Sequence, residues 1–418
     1  MLTESERITH RLGRNTFLPL WSYANPLRHD GDELCDVLVI FGEDVLIFSV
    51  KENAYKPTDD VETGLDRWYR KAIRRSVVQI TGAERWLKEP TNTRVIKSDK
   101  TEGVLIPENP RIHRIAVAFG SGGQLLLPYG EVEGVTAHVF DEPSLFHVLS
   151  ELDTAADFIA YLVEKDRILS VRPNLRIFSE SDLLAAYISH RRSLSFLDVE
   201  ADEVILGDDW WDTHVRSEDI RFRDEDNKIS YLWDGIIEFL ASEFDQGVAE
   251  LGVSPDDAEI ALRLLAMPNR FERRTLATDF REIIIDPLPA GINSMKRMVD
   301  HDGADFDCVP HTYVFLAVDP EITREQRRSA LQAMCWIARW LRPENHTVVG
   351  IATEHADFGG PENFEVVSLT QEELTPDFVA KAKELQGKTG FFTNITVSGQ
   401  EQNEFRADRG RWRIDGQS

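Results

Sequence analysis

The chain has 418 residues, 42% of them hydrophobic and 29% charged, with a formal charge of −26, a globular composition that suits two or three domains and excludes disorder as the main state. Its longest apolar runs, at 37–41 and 45–48, fall far short of the ~20 residues a membrane-spanning helix needs, and the acidic N-terminus has no apolar stretch of the kind a secretory signal carries. Three scattered cysteines, Cys35, Cys308 and Cys335, form neither a disulfide framework nor a CxxC site, so the expectation is a reduced, cytoplasmic protein with no membrane partner.

In chain order, Thr3 followed three positions on by Glu6 is a capping box that opens a short helix over 3–14. Residues 17–23 read as a strand. A polar loop with Pro and Gly follows at 25–32, then two apolar strands at 33–41 and 45–51 joined by a turn at 42–44. The longest helix is expected over 65–87. Its apolar face gathers Leu65, Tyr69, Ala72, Ile73, Ser76, Ile80, Ala83 and Leu87. Strands at 115–119 and 135–140 and helices at 143–152 and 155–169 complete an α/β sandwich, with antiparallel strands at its centre, over residues 1–172. Residues 173–418 read as an acidic α/β domain, with a further subdivision near 300 left open. Its elements include helices at 181–191 and 232–244, then strand, helix and strand at 313–318, 323–341 and 347–353. A strand at 364–369 and a helix at 376–385 follow.

Charge divides the same way. Residues 1–120 hold 18 Lys+Arg and 18 Asp+Glu, so the entire −26 lies beyond them. An acidic total argues against nucleic-acid binding, because phosphate neutralisation dominates that affinity, but the argument does not reach the neutral first segment. The opposite face of the 65–87 helix carries Arg67, Arg70, Lys71, Arg74 and Arg75, with Arg85 and Lys88 beyond. These residues suit either a phosphate-tracking surface or a solvated face.

Chemistry points to the hairpin. Asp36 stands in an apolar strand, and Ser49 and Lys51, two apart, share one face of the next. Ionisable groups among apolar neighbours need partners or a purpose, and a buried Asp36–Lys51 ion pair is one sufficient explanation.

The other reading is a resemblance. Asp36, twelve intervening residues, then Ser49-Val50-Lys51 resembles the PD-(D/E)XK nuclease superfamily, in which an Asp on the second core strand precedes a (D/E)-x-K triplet on the third. The fold implied for the first domain is a restriction-endonuclease-like mixed-sheet sandwich. The activity implied is Mg²⁺- or Mn²⁺-dependent cleavage of DNA. Asp36 and the Val50 carbonyl would hold the metal, Lys51 would sit beside the attacking water, and Gln79 on the helix would face the site. Ser49 departs from the pattern by replacing the acid. Glu33 and Glu6 are the candidates to supply it, although Glu33, three residues from Asp36, points away in a regular strand and contributes only if the strand begins after it or bulges. Glu52 points away for the same reason.

Fold-level analogy extends this to a restriction or phage-defence effector, with the acidic part docking onto the basic helix or onto a protein partner. Two rivals stay open: a nuclease-fold scaffold that has lost its metal site, and a DNA mimic. Homo-oligomerisation is also open. Weaker features take bland readings. The Gly120–Gly123 run is a turn, Trp68 and Trp86 are core, and His301, Asp302, Asp305, Asp307, Cys308 and His311 form a polar loop. The basic and aromatic residues from Arg324 to Trp340, and the pair Trp210-Trp211, pack within their own domain.

Overall fold

The computed structural model describes residues 3–56, 60–99, 103–121, 125–201, 203–245, 255–286, 294–301, 310–355, 364–370, 373–393 and 405. The tail beyond 405, residues 302–309 with Cys308, and Gly122-Gly123 lie outside the described residues; His301 and His311, expected in a polar loop, instead end one strand and begin the next. Two compact units divide between Arg221 and Phe222, both of mixed α/β structure. No helix among the described residues is long and apolar enough to cross a membrane.

The first unit opens with α1 (Glu4–Trp21), whose capping box is formed as the sequence predicts. The helix does not stop at 14, and the strand expected at 17–23 is reduced to β1 (Ser22–Ala24). Leu18 takes φ 60° and ψ 158°, kinking the chain, and Pro19 then starts one more helical turn. A proline is well suited to that place, because its fixed φ is helical and its missing N–H has no partner to lose. The kink turns Phe17, Leu18 and Trp21 all inward.

Then come β2 (Val37–Phe41), β3 (Asp44–Glu52), α2 (Val61–Tyr69), a π-helical turn at Arg70–Arg74, and α3 (Arg75–Leu87). Hairpin β4 (Arg94–Ile96) and β5 (Gly103–Leu105) precedes β6 (Arg111–Phe119). A small hairpin, β7 (Glu131–Val132) and β8 (Val135–Thr136), leads into β9 (His138–Asp141), α4 (Glu142–Glu151) and α5 (Ala155–Val171). Beyond these lie β10 (Leu175–Ile177), α6 (Glu180–Ser189), β11 (Val204–Leu206), α7 (Trp210–Arg216) and α8 (Glu218–Asn227), which crosses the division between the units.

The main sheet has the order β1-β2-β3-β6-β9. The first two pairings are antiparallel, as expected, and β3–β6 and β6–β9 are parallel. Strand alternation sends Val45 and Ile47 of β3 towards Ile73, Val77 and Ile80 of the helix. On the other face Phe48 meets Phe17 and Phe158 with ring centroids 6.5 Å away. Gly120, just past β6, has φ +90°, and a Cβ there would lie 2.6 Å from the Asn53 carbonyl oxygen. Only glycine lets the chain leaving β3 run against the end of β6.

The helix expected over 65–87 is one rod interrupted by the π turn, and the interruption changes its face. From Ala72 on, the buried set is the expected one. Before it, Gly64 and Trp68 are buried and Leu65 is exposed. A π turn inserts an extra residue into the helical repeat, so every residue ahead of it is rotated relative to a regular helix. Trp68 fills the core and its Nε1–H donates to the Asn53 carbonyl at 2.8 Å.

In the second unit α9 (Tyr231–Asp245), α10 (Pro255–Ala266) and α11 (Arg270–Ile285) precede β12 (Ser294–His301) and β13 (His311–Val318). Then come α12 (Arg324–Leu341), β14 (Thr347–Glu354), β15 (Glu365–Thr370) and α13 (Pro376–Thr389). The sheet order is β12-β13-β14-β15, with only β13–β14 parallel. Helix α12 packs Leu331, Met334, Cys335 and Ala338 on one face, while Trp233 and Phe280 meet Phe315 on the other. Of the basic and aromatic residues of α12, Arg327, 1% exposed, binds Glu354 and Glu365 and Trp336 stacks on Phe378, as expected, whereas Arg324 stays exposed while bonding Glu365.

Two ionic contacts position the first unit's sheet and helices. Asp44, buried at the start of β3, accepts from Arg111 (2.9 and 3.1 Å) and lies 2.8 Å from His113 Nε2, pinning β3 to β6. Burial pushes the Asp44 carboxyl up, but the bonds from His113 and Arg111 outweigh it and leave the carboxyl below its usual range. A carboxyl depressed in the folded state adds stability that is complete above its unfolded pKa and is lost as pH falls through the folded one. Asp44→Asn is therefore expected to destabilise the protein at neutral pH, with the deficit shrinking steadily below about pH 4; denaturation midpoints measured from pH 7 to 2 check this. The second contact is between Lys165 and Glu180, both almost wholly buried, with Nζ 2.7 Å from each carboxylate oxygen. Lys165→Met leaves the buried Glu180 carboxylate with only the Tyr161 hydroxyl, 2.7 Å away, and is expected to cost about 3–5 kcal/mol. Lys165→Met with Glu180→Met recovers only part of it, because the Tyr161 hydroxyl then loses its acceptor, as urea melts of both variants would show.

Candidate active site

Strand β3 ends beside the start of β2 because the hairpin is antiparallel, with Val37 opposite Phe48. That register brings Asp36, just before β2, alongside Val50, and the Val50 N–H donates to Asp36 Oδ2 at 2.5 Å. Lys51 Nζ reaches the same oxygen at 3.2 Å and the Val50 carbonyl at 3.2 Å. Asp36 is 3% exposed, while the Lys51 side chain keeps 27% of its surface open. The ion pair foreseen in the hairpin exists, with the lysine side chain part-exposed.

Helix α3 contributes the third group. Gln79 Oε1 accepts from Lys51 Nζ at 2.6 Å and from Ser49 Oγ at 2.8 Å, and its Nε2 lies 3.4 Å from Asp36 Oδ1. Four of the residues singled out in the sequence, Asp36, Ser49, Lys51 and Gln79, thus form one hydrogen-bonded cluster. Ser49 is fully buried beneath it.

The remaining acids sort by their partners. The strand does not begin at 33: β2 starts at Val37, and Glu33 pairs only through an isolated bridge to Leu27. Strict alternation does not govern residues 33–36, so the reason for turning Glu33 away from Asp36 no longer applies. Burial, then the charges of Asp36 and Glu6 and a hydrogen bond with Asp36, raise the Glu33 carboxyl above its usual range, and Lys51 partly offsets them. Glu6 spends Oε2 on the Thr3 N–H of its own helix cap at 2.9 Å. Glu52 accepts from Ser5 Oγ at 3.1 Å. Among the described residues no group of three or more His, Cys, Asp or Glu side chains is arranged to hold a metal ion. The oxygen donors that hydrogen bonds gather beside Lys51 are fewer: Asp36 and the Val50 carbonyl, which has a second lone pair beyond the one Lys51 uses.

Of the cations expected to track phosphate, Arg67, Arg70, Lys71 and Arg75 are exposed, with Arg70 and Lys71 on the π turn itself. Arg74 is diverted. It pairs with Glu133 at 2.7 Å and lies over the Tyr69 ring. Trp86 is half-buried and stacks on His29. Trp211 stacks on His147 at 4.0 Å, with His214 also parallel to it.

One feature escaped the sequence entirely: a cleft of about 400 Å³ bordered by Tyr129, Asp141, Phe178, Asp182 and Trp211. Its walls come from separate elements, and no spacing in the chain announces it. Asp141 sits in the row Lys51–Ala118–Asp141 across three parallel strands, about 10 Å from Lys51 at the usual strand spacing.

Comparison with protein-family models, with curated proteins and with solved structures finds no match. The site therefore has to be read from its own chemistry. Gln79→Leu is expected to leave the Ser49 hydroxyl buried without an acceptor and to lower stability by about 1–3 kcal/mol. Ser49→Ala made in the Gln79→Leu background should then cost almost nothing more, a coupling that a double-mutant cycle on urea stability measures.

Proposed function

We propose that the first unit is a metal-dependent phosphodiesterase of the PD-(D/E)XK type acting on DNA. The observation that carries the reading is the convergence of a buried carboxylate, an exposed-headed lysine and a helix glutamine at the carboxyl end of β3. The mixed sheet, with an antiparallel hairpin continued by parallel strands and covered by a basic helix, agrees with the restriction-endonuclease-like architecture expected from the sequence.

Asp36 and the Val50 carbonyl are hard oxygen donors. Mg²⁺ takes one or two protein carboxylates and keeps several waters, so the donor set fits such an ion. When bound, that ion would lower the pKa of a water and neutralise charge on the scissile phosphate. The protein's own contribution is Lys51. Its ammonium, held by Gln79, Asp36 and the Val50 carbonyl, would exchange one of these three bonds to orient the nucleophilic water and meet the negative charge that grows on the phosphate oxygens. Arg67, Arg70, Lys71 and Arg75 would hold the strand on either side of the scissile bond.

A specific observation favours a second reading: the β3 acid is replaced by Ser49, whose hydroxyl is tied to Gln79. A nuclease-fold scaffold that binds DNA without cutting would carry such a change.

Supercoiled DNA with Mg²⁺ or Mn²⁺ at low salt separates the two. Nicking by the wild type is expected, with losses of about 100-fold or more in Lys51→Ala and Asp36→Ala; an inert wild type that still binds DNA would leave the scaffold reading standing. Replacing Arg70, Lys71 and Arg75 together by Ala should weaken DNA binding and flatten the plot of log affinity against log salt by up to about 2.7.

A further inference from the structure

We infer that the cleft bordered by Tyr129, Asp141, Phe178, Asp182 and Trp211 binds a small organic cation that carries N–H groups, a guanidinium or a primary ammonium. The inference is independent of the proposed phosphodiesterase function and concerns a site of the first unit apart from the Lys51 cluster.

The cleft measures about 400 Å³, a size that suits a whole small molecule. Five carboxylates line it, those of Asp141, Glu180, Asp182, Asp209 and Asp212, and among the described residues no Lys, Arg or His does. Two of the five are matched from beyond the lining: Glu180 by Lys165, 2.7 Å from both its oxygens, and Asp212 by Arg216 at 3.1 Å. Asp141, Asp182 and Asp209 have no basic partner among the described residues. Asp141 accepts from the Ser144 N–H at 3.1 Å and the Ser121 hydroxyl at 3.3 Å, and Asp182 from the Trp211 N–H at 2.9 Å. These neutral donors hold the two carboxylates in place without supplying a positive charge.

The surroundings narrow the class of ligand. Helices α4 and α6 both start at the cleft, and helix starts ordinarily suit an anion. Here they are closed from within, α4 by Asp141 and α6 by Ser179 Oγ, which accepts from the Ser181 and Asp182 N–H groups at 3.2 and 3.4 Å. A phosphate would meet carboxylates in place of free N–H groups. Nor are three of the acids among the described residues arranged to hold a metal ion. A larger cation with several N–H donors reaches carboxylates that do not converge on one point, and aromatic rings attract it further.

The first unit already uses this combination beneath the cleft. Lys165 Nζ, bonded to Glu180, lies 5.1 Å from the Tyr129 ring centroid and 5.0 Å from that of Phe140. Burial, and then the charges of Glu180, Asp141 and Asp182, push the Tyr129 hydroxyl far above its ordinary range, so the fields of three lining acids meet at that ring. Phe178 keeps 50% of its surface open. Trp211 is braced by His147, stacked on it at 4.0 Å, whose Nδ1 lies 2.7 Å from Ser181 Oγ. A wall fixed in this way needs little ordering when a ligand arrives.

Isothermal titration of the full chain with agmatine, which carries a guanidinium and an ammonium, tests this, and thermal melts of each variant check folding. One agmatine per chain is expected. Asp182→Asn should weaken it about tenfold or more, and Phe178→Ala about two- to fivefold. Asp209→Asn should weaken it too, at an exposed position whose left-handed backbone, φ 78°, asparagine also accepts. Glu384→Gln, an exposed charge of the second unit, should change nothing. Tetramethylammonium, which has no N–H, should bind more weakly than agmatine. No agmatine uptake, or uptake that Asp209→Asn and Phe178→Ala leave unchanged, overturns the assignment. Displacement of agmatine by an equal concentration of Mg²⁺ would make the cleft a metal site, and displacement by phosphate an anion site. Tighter binding of N-acetyl-arginine methylamide would make it a docking site for a protein's arginine. Each of these overturns it as well, whether or not the chain cuts DNA.

Discussion

Everything at the site depends on one carboxylate finding partners inside an apolar hairpin. Asp36 is nearly inaccessible, and burying such a group is costly unless it is paired and hydrogen-bonded. The Val50 N–H at 2.5 Å and the Lys51 ammonium at 3.2 Å supply those bonds. Both partners come from adjacent residues of β3, so a single register, Val37 opposite Phe48, secures the backbone donor and the cation together. A slip of one residue would turn Lys51 to the Phe17 face. The buried aromatic residues on that face therefore act at a distance on the chemistry, because they make the slipped register costly.

The same dependence explains the glutamine. Lys51 already has an anion, and a second carboxylate within reach of its ammonium would compete for it. A neutral amide accepts from the lysine and donates to Asp36 without changing the charge of the pair. The π turn lies one helical turn before Gln79, and turns of that kind re-aim side chains ahead of them. Here the rotated half is α2, which drops Trp68 into the core and exposes Leu65. The frame behind the turn, from Ala72 to Leu87, keeps the regular repeat that aims Gln79 at β3.

This division accounts for what could be read from the sequence. Elements defined by periodicity were legible: the capping box at Thr3–Glu6, the β2–β3 hairpin, the buried stripe of α3 and the strand-helix-strand run of the second unit. So was the meeting of Asp36 with Lys51, since alternation puts Ser49 and Lys51 on one face of β3; Gln79 was indicated by the resemblance alone, and the structure brings it to the same cluster. What failed were places where a local irregularity resets the period. Leu18 kinks α1 and turns an expected strand into helix, and the π turn leaves Leu65, expected on the apolar face, exposed. Features assembled from distant segments were also hidden, among them the cleft around Asp141 and the Asp44 contact with Arg111 and His113.

Glu33 shows both limits at once. In a regular strand its side chain points away from Asp36, and that geometry counted against it. The strand begins four residues later, and a bridge to Leu27 with a hydrogen bond from Leu34 to Pro26 holds the intervening chain off the pleat. Strand starts are set by tertiary pairing more than by local preference, so no pattern in 33–41 could have announced the boundary. The consequence is that Glu33 is placed by the backbone bonds of this segment and not by the alternation of β2.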